Sequence, residues 1–562
     1  MPNPDLIIRN GTVVDGTGGP TRIADVVIRD GMVSEITESA STVATREIDA
    51  EGAWVTPGFI DPHTHLDAQL FWDPTGRPSV QHGVTTVVTG NCGFGIAPCG
   101  NGAEEYLLRC LEAVEEIPFA STTIGVPFGW SDFTSYLDAL DNLDLGVNVA
   151  AMVPHSPLRH SVMGDRAWSQ EATNDDVTQM SALLRQALAS GAVGFASSRG
   201  PNHVDGDGRP VPSRLANDAE LRALVAETTG KVWQINIKSK GDPTAAQSLA
   251  EVAEYAAWSD EFGVDLSWTP LLVLPGDTVA WRRLVDQAAD LSSTGARVVP
   301  QVSPLPLVAS IDLSGRSLAE SVTGWETAMR QLNGLGQVDR IAVLADESFR
   351  QLLRDAREDP HAMLAPNYDR WRLVASTTRP ELVGQSMRQV GVALGLPPTD
   401  ALCDLAIADE LATVVQVPLV NLDAAEVVAA VSADSTLIGL GDAGAHVASI
   451  TNYTYPTFLL AEAAAGNGML PIEQVVREMT SRPAELFGLT GRGVLTEGAA
   501  ADVVVVDPHT VALGPSRRVN DLPGGHARLL QEAVGYRSVI VGGVEVVVDD
   551  QPVEVAAGRV LR

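Results

Sequence analysis

The stretch Val55-Thr-Pro-Gly-Phe-Ile-Asp-Pro-His-Thr-His-Leu-Asp67 joins an apolar segment to a polar cluster. Trp54 to Ile60 is typical of a short buried strand, and Pro62 stiffens its exit. His63 and His65 stand two positions apart, so on extended backbone their side chains point the same way. Imidazole nitrogens are common zinc ligands. The pattern predicts a metal site at the end of this strand, and the alternative is two polar residues in a loop.

Downstream of this stretch, short apolar runs alternate with helical segments, for example at 175–190, 218–229 and 244–262. Such alternation is the signal for parallel βα units. Eight candidate strands are found, at 54–61, 84–90, 149–155, 192–198, 232–238, 264–269, 297–303 and 436–442. Eight is the strand count of a TIM barrel. We therefore predict an α/β fold with a (β/α)8 barrel over residues 54–490.

The two ends of the chain differ from this middle. Residues 6–53 read as short strands joined by tight turns at Asn10-Gly11 and Asp30-Gly31, and the segment 491–562 has the same character. We predict one small β-sandwich built from residues 1–53 and 491–562. Residues 304–435 are too long for a structureless barrel loop. We expect an insertion near the barrel mouth, with helices at 325–335 and 381–396, that shapes substrate access.

Composition restricts the choice of partners. The chain has 562 residues, a net charge of −33 and four cysteines without CxxC spacing. The acidity disfavours nucleic acid and anionic membranes as partners, and four cysteines in this length are not a disulfide scaffold. No signal peptide and no apolar run of about 18 residues are visible. We expect a cytoplasmic protein with a small-molecule substrate, and leave open that it forms a homo-oligomer.

Three motifs carry a resemblance to a known family. Pro57-Gly-Phe-Ile-Asp-Pro-His-Thr-His65 resembles the first-strand signature of the amidohydrolase superfamily. Thr89-Gly-Asn-Cys-Gly-Phe94 and Leu158-Arg-His-Ser-Val-Met-Gly164 are similar to the D-aminoacylase branch, the N-acyl-D-amino-acid deacylases. The resemblance covers nearly the whole chain. It implies a metal-dependent hydrolase on a (β/α)8 barrel and, independently of the turn pattern, the same terminal β-sandwich.

The resemblance also implies roles for two residues outside the first strand. Asp442 ends the eighth predicted strand, in Ile438-Gly-Leu-Gly-Asp-Ala-Gly-Ala-His446, where the family's acid contacts the metal and takes the proton from activated water. The alternative is a helix N-cap aspartate. Cys92 matches a cysteine that ligates metal in the branch, and a thiolate suits zinc. Its alternative is a small buried cysteine.

The sequence departs from the branch pattern at two strand ends. Asn236 and Trp268 stand where histidines are expected after the fifth and sixth strands, and neither is a good zinc ligand. The fourth strand offers no lysine that could bridge two metals. We therefore predict one Zn²⁺ per chain, held by His63, His65 and Asp442, with Cys92 as a further ligand.

Six other residues are candidates for binding the substrate. Arg159 and Arg199 could each grip a carboxylate bidentately, although either could be an ordinary ion-paired arginine. Lys238 could assist, or could be a solvated charge. His155 could bind the substrate carbonyl or be structural, His203 could line the mouth, and His446 could orient Asp442. The basic residue that follows the sixth-strand histidine in D-aminoacylases has no match.

The function these features favour is metal-dependent hydrolysis of a non-peptide C–N amide bond, most like that of an N-acyl-D-amino-acid deacylase. Asp442 would act as general base and then general acid. One alternative is a cyclic amide or imide hydrolase of the same superfamily. Another, from a different class, is a degenerate barrel that binds a ligand without hydrolysis, which Asn236 and Trp268 motivate.

Overall fold

The computed structural model describes residues 5–100, 102–239, 244–295, 297–315, 317–359, 363–467 and 469–562. Its strands, in chain order, are β1 Leu6–Val13, β2 Arg22–Arg29, β3 Met32–Thr37, β4 Arg46–Asp49, β5 Trp54–Pro57, β6 Phe59–Asp61, β7 Val84–Thr89, β8 Asn148–Pro154, β9 Gly194–Ser198, β10 Val232–Asn236, β11 Asp265–Thr269, β12 Val298–Val302, β13 Leu307–Ile311, β14 Arg372–Ala375, β15 Val414–Val420, β16 Leu437–Ile438, β17 Val503–Val506, β18 Ala512–Leu522, β19 His526–Val534, β20 Tyr536–Val541, β21 Val544–Val548 and β22 Gln551–Pro552. Its helices are α1 Glu104–Glu115, α2 Phe119–Gly125, α3 Phe133–Asp141, α4 His155–Met163, α5 Asn174–Ala189, α6 Asp218–Glu227, α7 Ala246–Phe262, α8 Ala280–Thr294, α9 Glu326–Arg330, α10 Gln337–Ala345, α11 Glu347–Arg354, α12 Met387–Leu394, α13 Pro398–Ala408, α14 Ala424–Val431, α15 Tyr455–Ala465, α16 Ile472–Met479 and α17 Ser481–Phe487.

Eight of these strands form one parallel sheet. Its order is β6, β7, β8, β9, β10, β11, β12 and β16, so neighbours in space are successive in the chain. A parallel bridge between Thr64 and Ala443 joins the segments that follow the two end strands, and His65 N–H donates to the Ala443 carbonyl at 2.7 Å. This is the strand order of a (β/α)8 barrel, and each predicted barrel strand overlaps an observed one.

Burial explains why these segments form strands and helices. β7 and β8 are buried at every position, as expected for parallel strands covered on both faces. Two of the helices that connect barrel strands begin at polar caps. Thr173 accepts from the Asp176 backbone N–H at the start of α5, and Asn217 accepts from the Glu220 N–H at the start of α6. Such caps fix the length of the connections that return the chain to the barrel.

The first predicted strand is in fact two strands that belong to different sheets. Trp54–Pro57 pairs with β1 and β17, whereas Phe59–Asp61 pairs with β7. Gly58 lies at the division, where a Cβ atom would sit 2.1 Å from Thr85 Oγ1. Only glycine leaves room for the Thr85 side chain to lie this close to the backbone. The terminal unit therefore extends to Pro57 rather than to residue 53.

Strands from both ends of the chain share a nine-stranded sheet. Its order is β22, β21, β20, β17, β5, β1, β2 and β3, with β4 paired to β1. β17 pairs antiparallel with β5 and β20, and so joins the C-terminal strands to the N-terminal ones. The arrangement of these strands as a two-layer sandwich stays a prediction.

The insertion has an apolar core of its own, centred on buried aromatic residues such as Trp325, Phe349 and Trp371. It contains an antiparallel sheet of β13, β15 and β14 that sequence patterns did not indicate. The helix predicted at 325–335 is shorter, Glu326–Arg330, and the segment 381–396 holds only Met387–Leu394. Among the described residues, no single helix is long and apolar enough to cross a membrane, although the bent pair α12 and α13 passes by length and composition.

Candidate active site

The carboxyl ends of the barrel strands bring the chemically active side chains together. His63 and His65 follow β6, Cys92 follows β7, and Asp442 follows β16. All four residues line one cavity of about 220 Å³ at this end of the barrel. The active sites of such barrels lie at this end because parallel strands deliver their following loops to the same place.

Three of these side chains form a compact set of metal donors. His63, His65 and Cys92 each offer one ligand atom, and these atoms lie within 4.8 Å of one another. His63 Nε2 is 3.5 Å from Cys92 Sγ. Burial lowers the pKa of His63, against the opposing charge of Asp442, and lowers the pKa of His65 far below its usual value. Both imidazoles are therefore neutral and offer lone pairs to a cation.

The donor spacing fits a tetrahedral ion such as zinc. Bonds of about 2.0–2.3 Å in a tetrahedral centre separate the ligand atoms by roughly 3.3–3.8 Å. Asp442 Oδ1 lies 3.3 Å from His63 Nε2 and 3.9 Å from His65 Nε2, in the same range as the distance between His63 and Cys92. The residues present therefore fit a divalent metal of the zinc type.

The backbone at two of these positions is strained in a way that aims the side chains. Cys92 has φ 54° and Asp442 has φ 48°, in the left-handed region that side chains with a Cβ rarely adopt. Gly93, which follows Cys92, is also closely packed, since a Cβ atom there would lie 3.0 Å from the Ser197 backbone. Such conformations persist where the surrounding structure imposes them, and they cluster at functional sites.

A layer of amide and hydroxyl side chains from β10, β11 and β12 lies beneath the metal donors. Gln301 Oε1 is 2.6 Å from His63 Nδ1, and Gln301 Nε2 donates to Ser267 Oγ at 2.9 Å. Because Oε1 can only accept, His63 Nδ1 carries the proton and its Nε2 lone pair faces the cavity. Gln234 holds Cys92 in a similar way, because its Oε1 accepts a hydrogen bond from the Cys92 backbone N–H at 2.8 Å. The layer therefore orients both an imidazole and the cysteine.

Two glutamates at the end of α1 approach the site from the other side. Glu115 Oε1 lies 3.4 Å from His65 Nδ1, and burial raises the pKa of Glu115 to about 8. Glu116 Oε1 lies 3.3 Å from His446 Nδ1. Burial lowers the pKa of His446, but the hydrogen bond to Glu116 and the neighbouring carboxylates outweigh it and raise that pKa to about 9. His446 is therefore an imidazolium at neutral pH, paired with Glu116.

Comparison with known proteins places the chain in a family. The model of the amidohydrolase family matches residues 46–547. The chain belongs to the amidohydrolase family. The resemblance predicted from the three motifs is thereby confirmed.

Among related amidohydrolases, the D-aminoacylase of Alcaligenes xylosoxydans xylosoxydans is 28% identical over 562 residues, which cover 99% of this chain and 97% of the relative. The zinc- and phosphonate-bound N-acyl-D-glutamate deacylase of Bordetella bronchiseptica superposes with a TM-score of 0.68 at 26% identity, over 100% of both chains. A D-aminoacylase structure described by one-metal activation and second-metal attenuation gives a TM-score of 0.67 at 26% identity, again over 100% of both chains. The relatives thus match the full length of this amidohydrolase.

Two further predicted site residues line the cavity, and four do not. His203 and His446 join His63, His65, Cys92 and Asp442 in its wall. The residues placed outside the cavity lining are His155, Arg159, Arg199 and Lys238. His446 contacts Glu116 rather than orienting Asp442 through a hydrogen bond, and His203 Nδ1 is 2.6 Å from Ser198 Oγ.

Three of the four outlying residues are held by acidic side chains of this amidohydrolase. His155 and Arg159 share the buried carboxylate of Glu220, at 3.1 and 2.8 Å. Arg199 donates to Asp218 at 2.7 Å, and the side chain of Lys238 is exposed. His155, Arg159 and Arg199 are therefore held away from the metal donors, whereas the substrate role of Lys238 stays a prediction.

The position that faces the cavity at the end of β11 is Thr269, not Trp268. Gln234 Nε2 donates to Thr269 Oγ1 at 3.1 Å inside the barrel, whereas Trp268 is buried in the core between barrel and helices. Side chains alternate along a strand, so a shift of one residue exchanges the two faces. Neither a hydroxyl nor the Asn236 amide is a strong zinc ligand.

Sequence reasoning missed Glu115, Glu116, Gln234 and Gln301. The glutamates lie in a long connection, and nothing in their spacing relates them to the barrel end. The glutamines had a signal: each is a polar residue inside an otherwise apolar strand, at a position that faces the barrel interior. Buried amides in such places must find hydrogen-bond partners, which makes them candidates to support a site.

Proposed function

We propose that this amidohydrolase is a metal-dependent hydrolase of a non-peptide C–N amide bond, acting in the manner of the N-acyl-D-amino-acid deacylases. The observation that carries the proposal is the buried donor set of His63, His65 and Cys92 beside the Asp442 carboxylate, within one cavity. The deacylases that match the chain over its full length support this reaction type.

The donors divide into ligands and a base. A catalytic zinc site keeps three protein ligands and one open position, so we assign His63, His65 and Cys92 as ligands and Asp442 as the base. When bound, the ion supplies Lewis acidity toward the amide carbonyl and lowers the pKa of water. The Asp442 side chain is 24% exposed, toward the cavity, and can take a proton from water and return it to the leaving nitrogen.

We propose Zn²⁺ as the ion, with one per chain. Imidazole and thiolate donors at tetrahedral spacing favour zinc over the harder cations. In the described parts of the chain, His63, His65 and Cys92 are the single group of this kind found. The wall positions that end β10 and β11, Asn236 and Thr269, add an amide and a hydroxyl, which do not make a second zinc site. A zinc-bound deacylase of the same fold supports the choice.

The idea of a non-hydrolytic barrel was motivated by Asn236 and Trp268. The donor triad uses neither residue, so their identity does not remove the capacity to bind a metal. A cyclic amide or imide hydrolase differs only in the substrate and shares every role assigned here. It remains the alternative within the same chemistry.

The test combines metal content with turnover. Wild-type protein purified without chelator should carry about one zinc and release acid and amine from an N-acyl substrate. Asp442→Asn should keep the zinc and lose at least about 100-fold in kcat, as expected for loss of a general base. His63→Ala should lose both. An Asp442→Asn variant without zinc would make Asp442 a ligand instead, and full turnover by His63→Ala would refute the proposal.

We also propose that the protein is cytoplasmic, that it acts on a small molecule without a nucleic-acid or membrane partner, that it forms a homo-oligomer, and that the strands of the terminal sheet form a sandwich. Fractionation of the native host and size-exclusion chromatography with light scattering address the first and third of these.

A further inference from the structure

The end of α1 is fixed to the loop that follows β16. The backbone N–H of His446 donates to the Glu115 carbonyl oxygen at 2.5 Å. Glu116 Oε2 accepts a hydrogen bond from Ser449 Oγ at 2.6 Å, and Glu116 Oε1 lies 3.3 Å from His446 Nδ1. Three contacts therefore hold the end of this helix, which belongs to the long connection between β7 and β8, against the loop that carries Asp442.

This attachment places a buried carboxyl group beside one of the metal donors. Glu115 Oε1 lies 3.4 Å from His65 Nδ1, and both side chains are 4% exposed. His65 Nε2 lies 3.9 Å from Asp442 Oδ1 and so faces the donor set. The two ring nitrogens of His65 therefore have different neighbours, with the donor set on the Nε2 side and Glu115 on the Nδ1 side.

The Nδ1 atom of His65 needs an acceptor in this position. An imidazole that offers its Nε2 lone pair to a metal carries its proton on Nδ1. In the parts of the chain that the structure describes, His65 Nδ1 is buried without a hydrogen-bond partner. A buried N–H group that stays unpaired is costly. A movement of about 0.5 Å would bring Glu115 Oε1 to an ordinary hydrogen-bond length, and a carboxyl oxygen accepts whether or not the group is protonated.

The other two donors are supported in the same way. Gln301 Oε1 is 2.6 Å from His63 Nδ1, and Gln234 Oε1 accepts from the Cys92 backbone N–H at 2.8 Å. Partners of this kind fix the tautomer and the orientation of a metal ligand. Both glutamines belong to barrel strands, whereas Glu115 comes from the connection that follows β7.

We propose that Glu115 is the positioning residue of His65. Its carboxyl oxygen accepts a hydrogen bond from Nδ1–H and so holds the Nε2 lone pair toward His63, Cys92 and Asp442. The inference rests on the metal site of the proposed function and adds to it a residue from outside the barrel strands. It also gives α1 a role in metal binding, because the helix must be docked on the loop after β16 for Glu115 to reach His65.

Two variants separate this role from packing. Glu115→Met keeps the length of the side chain and removes the acceptor, whereas Glu115→Gln keeps an acceptor oxygen. Both changes remove an ionisable group, so the difference between them isolates the hydrogen bond. Zinc affinity, measured on the full chain by competition with a chromophoric chelator, should fall about 10–100-fold in Glu115→Met and stay within about threefold of wild type in Glu115→Gln. Wild-type affinity in Glu115→Met, or equal weakening in both variants, overturns the proposal.

A third variant covers the case in which Glu115→Met does not fold. Glu115→Asp keeps a carboxyl group but is one methylene shorter, so its oxygen no longer reaches His65 Nδ1. Zinc affinity should then fall at least about tenfold, although the metal-free protein folds and unfolds cooperatively on heating. Wild-type affinity in Glu115→Asp overturns the proposal as well.

The role of Glu115 and the proposed function can fail separately, because zinc affinity is measured without turnover. A wild-type protein that binds no zinc refutes both. If zinc binds with the expected difference between the variants but no N-acyl substrate is hydrolysed, the proposed function is refuted and the role of Glu115 stands. If substrate is hydrolysed and Glu115→Met binds zinc as tightly as the wild type, only the role of Glu115 is refuted.

Discussion

Gln301→Leu should weaken zinc binding although Gln301 is not a ligand. The glutamine holds His63 Nδ1 at 2.6 Å and is itself fixed by Ser267 at 2.9 Å. Leucine has a similar volume but cannot accept the Nδ1 proton. His63 then loses the contact that sets its tautomer and ring orientation, so its Nε2 lone pair is no longer held toward Cys92 and Asp442.

The expected size follows from the contacts removed. Loss of the hydrogen-bond partner of a metal-ligating histidine typically weakens metal binding about 10–100-fold. That factor corresponds to about 1.4–2.8 kcal/mol. The lower end applies if His63 finds a new acceptor, and the upper end applies if its buried N–H and the Ser267 hydroxyl both remain unsatisfied, which costs roughly 1–3 kcal/mol each.

The measurement is zinc affinity by competition with a chromophoric chelator, with holo and apo melting temperatures as a second readout. Gln301→Glu is the matched control, because a carboxylate also accepts from Nδ1–H and should keep affinity within about threefold of wild type. Native zinc affinity in Gln301→Leu would refute the reasoning. So would equal weakening in both variants while the melting temperature of the apo form is unchanged.

Three other predictions use residues away from the metal donors, and a fourth uses the zinc ion itself. His82 is buried and hydrogen-bonds to Thr457 and Gln531, and burial lowers its pKa from 6.5 to about 4. Its contribution to the free energy of unfolding is therefore complete above pH 6.5 and is lost as the pH falls toward 4. That contribution is about 3 kcal/mol, and His82→Gln should flatten the dependence of urea unfolding on pH over this range. Arg159→Met should lower stability by about 3–5 kcal/mol because Glu220 loses its guanidinium, with KM unchanged; a raised KM in a stable variant would return Arg159 to the substrate. Gly58→Ala should lower the melting temperature through overpacking against Thr85, at about 1–3 kcal/mol, whereas an unaltered melting temperature would mean that the two sheets can separate there. Zinc at 100 times its Kd should stabilise the wild type by about 2.7 kcal/mol in thermal unfolding, and a chelator should reverse this gain.

The barrel was predictable because its signal is local and repeated. Each of its strands is a short apolar run, and parallel pairing covers both faces, so hydrophobicity alone marks the strand. The division at Gly58 is not visible in the hydrophobic pattern, since Trp54–Pro57 and Phe59–Asp61 are both largely buried and each contains only one polar residue. Only the close contact with Thr85 in the folded protein distinguishes the two sheets.

The insertion was harder for a related reason. Its strands β13, β14 and β15 are four to seven residues long and are separated by helices, so their antiparallel pairing depends on contacts distant in the chain. Leu307 pairs with Val420 across more than a hundred residues. Periodicity reports which face of a segment is apolar, but it cannot report which segment covers that face.

In the site, residues that belong to a sequence motif were predictable, whereas residues whose position depends on a distant partner were not. His63, His65, Cys92 and Asp442 were found because each ends a strand in a specific pattern. Arg159 was given a substrate role because it stands near a strand end, but Glu220, 61 residues away, holds it in the core. The orientation of a charged side chain cannot be predicted until its ion-pair partner is known. The orientation of a side chain at the end of a barrel strand follows from the strand itself.

The residues that replace the expected histidines have a role that the metal alone would not explain. Cys92 can act as a ligand only as a thiolate, and a buried thiolate needs nearby hydrogen-bond donors. Asn236 Nδ2 lies 3.9 Å from Cys92 Sγ, and the Cys92 backbone is fixed by Gln234. A histidine at the end of β10 would compete for the metal, whereas the Asn236 amide donates to the sulfur instead. In the proposed one-metal site, the Asn236 side chain would thus support Cys92 as a ligand, because it places a donor near the sulfur where a histidine would offer a further ligand.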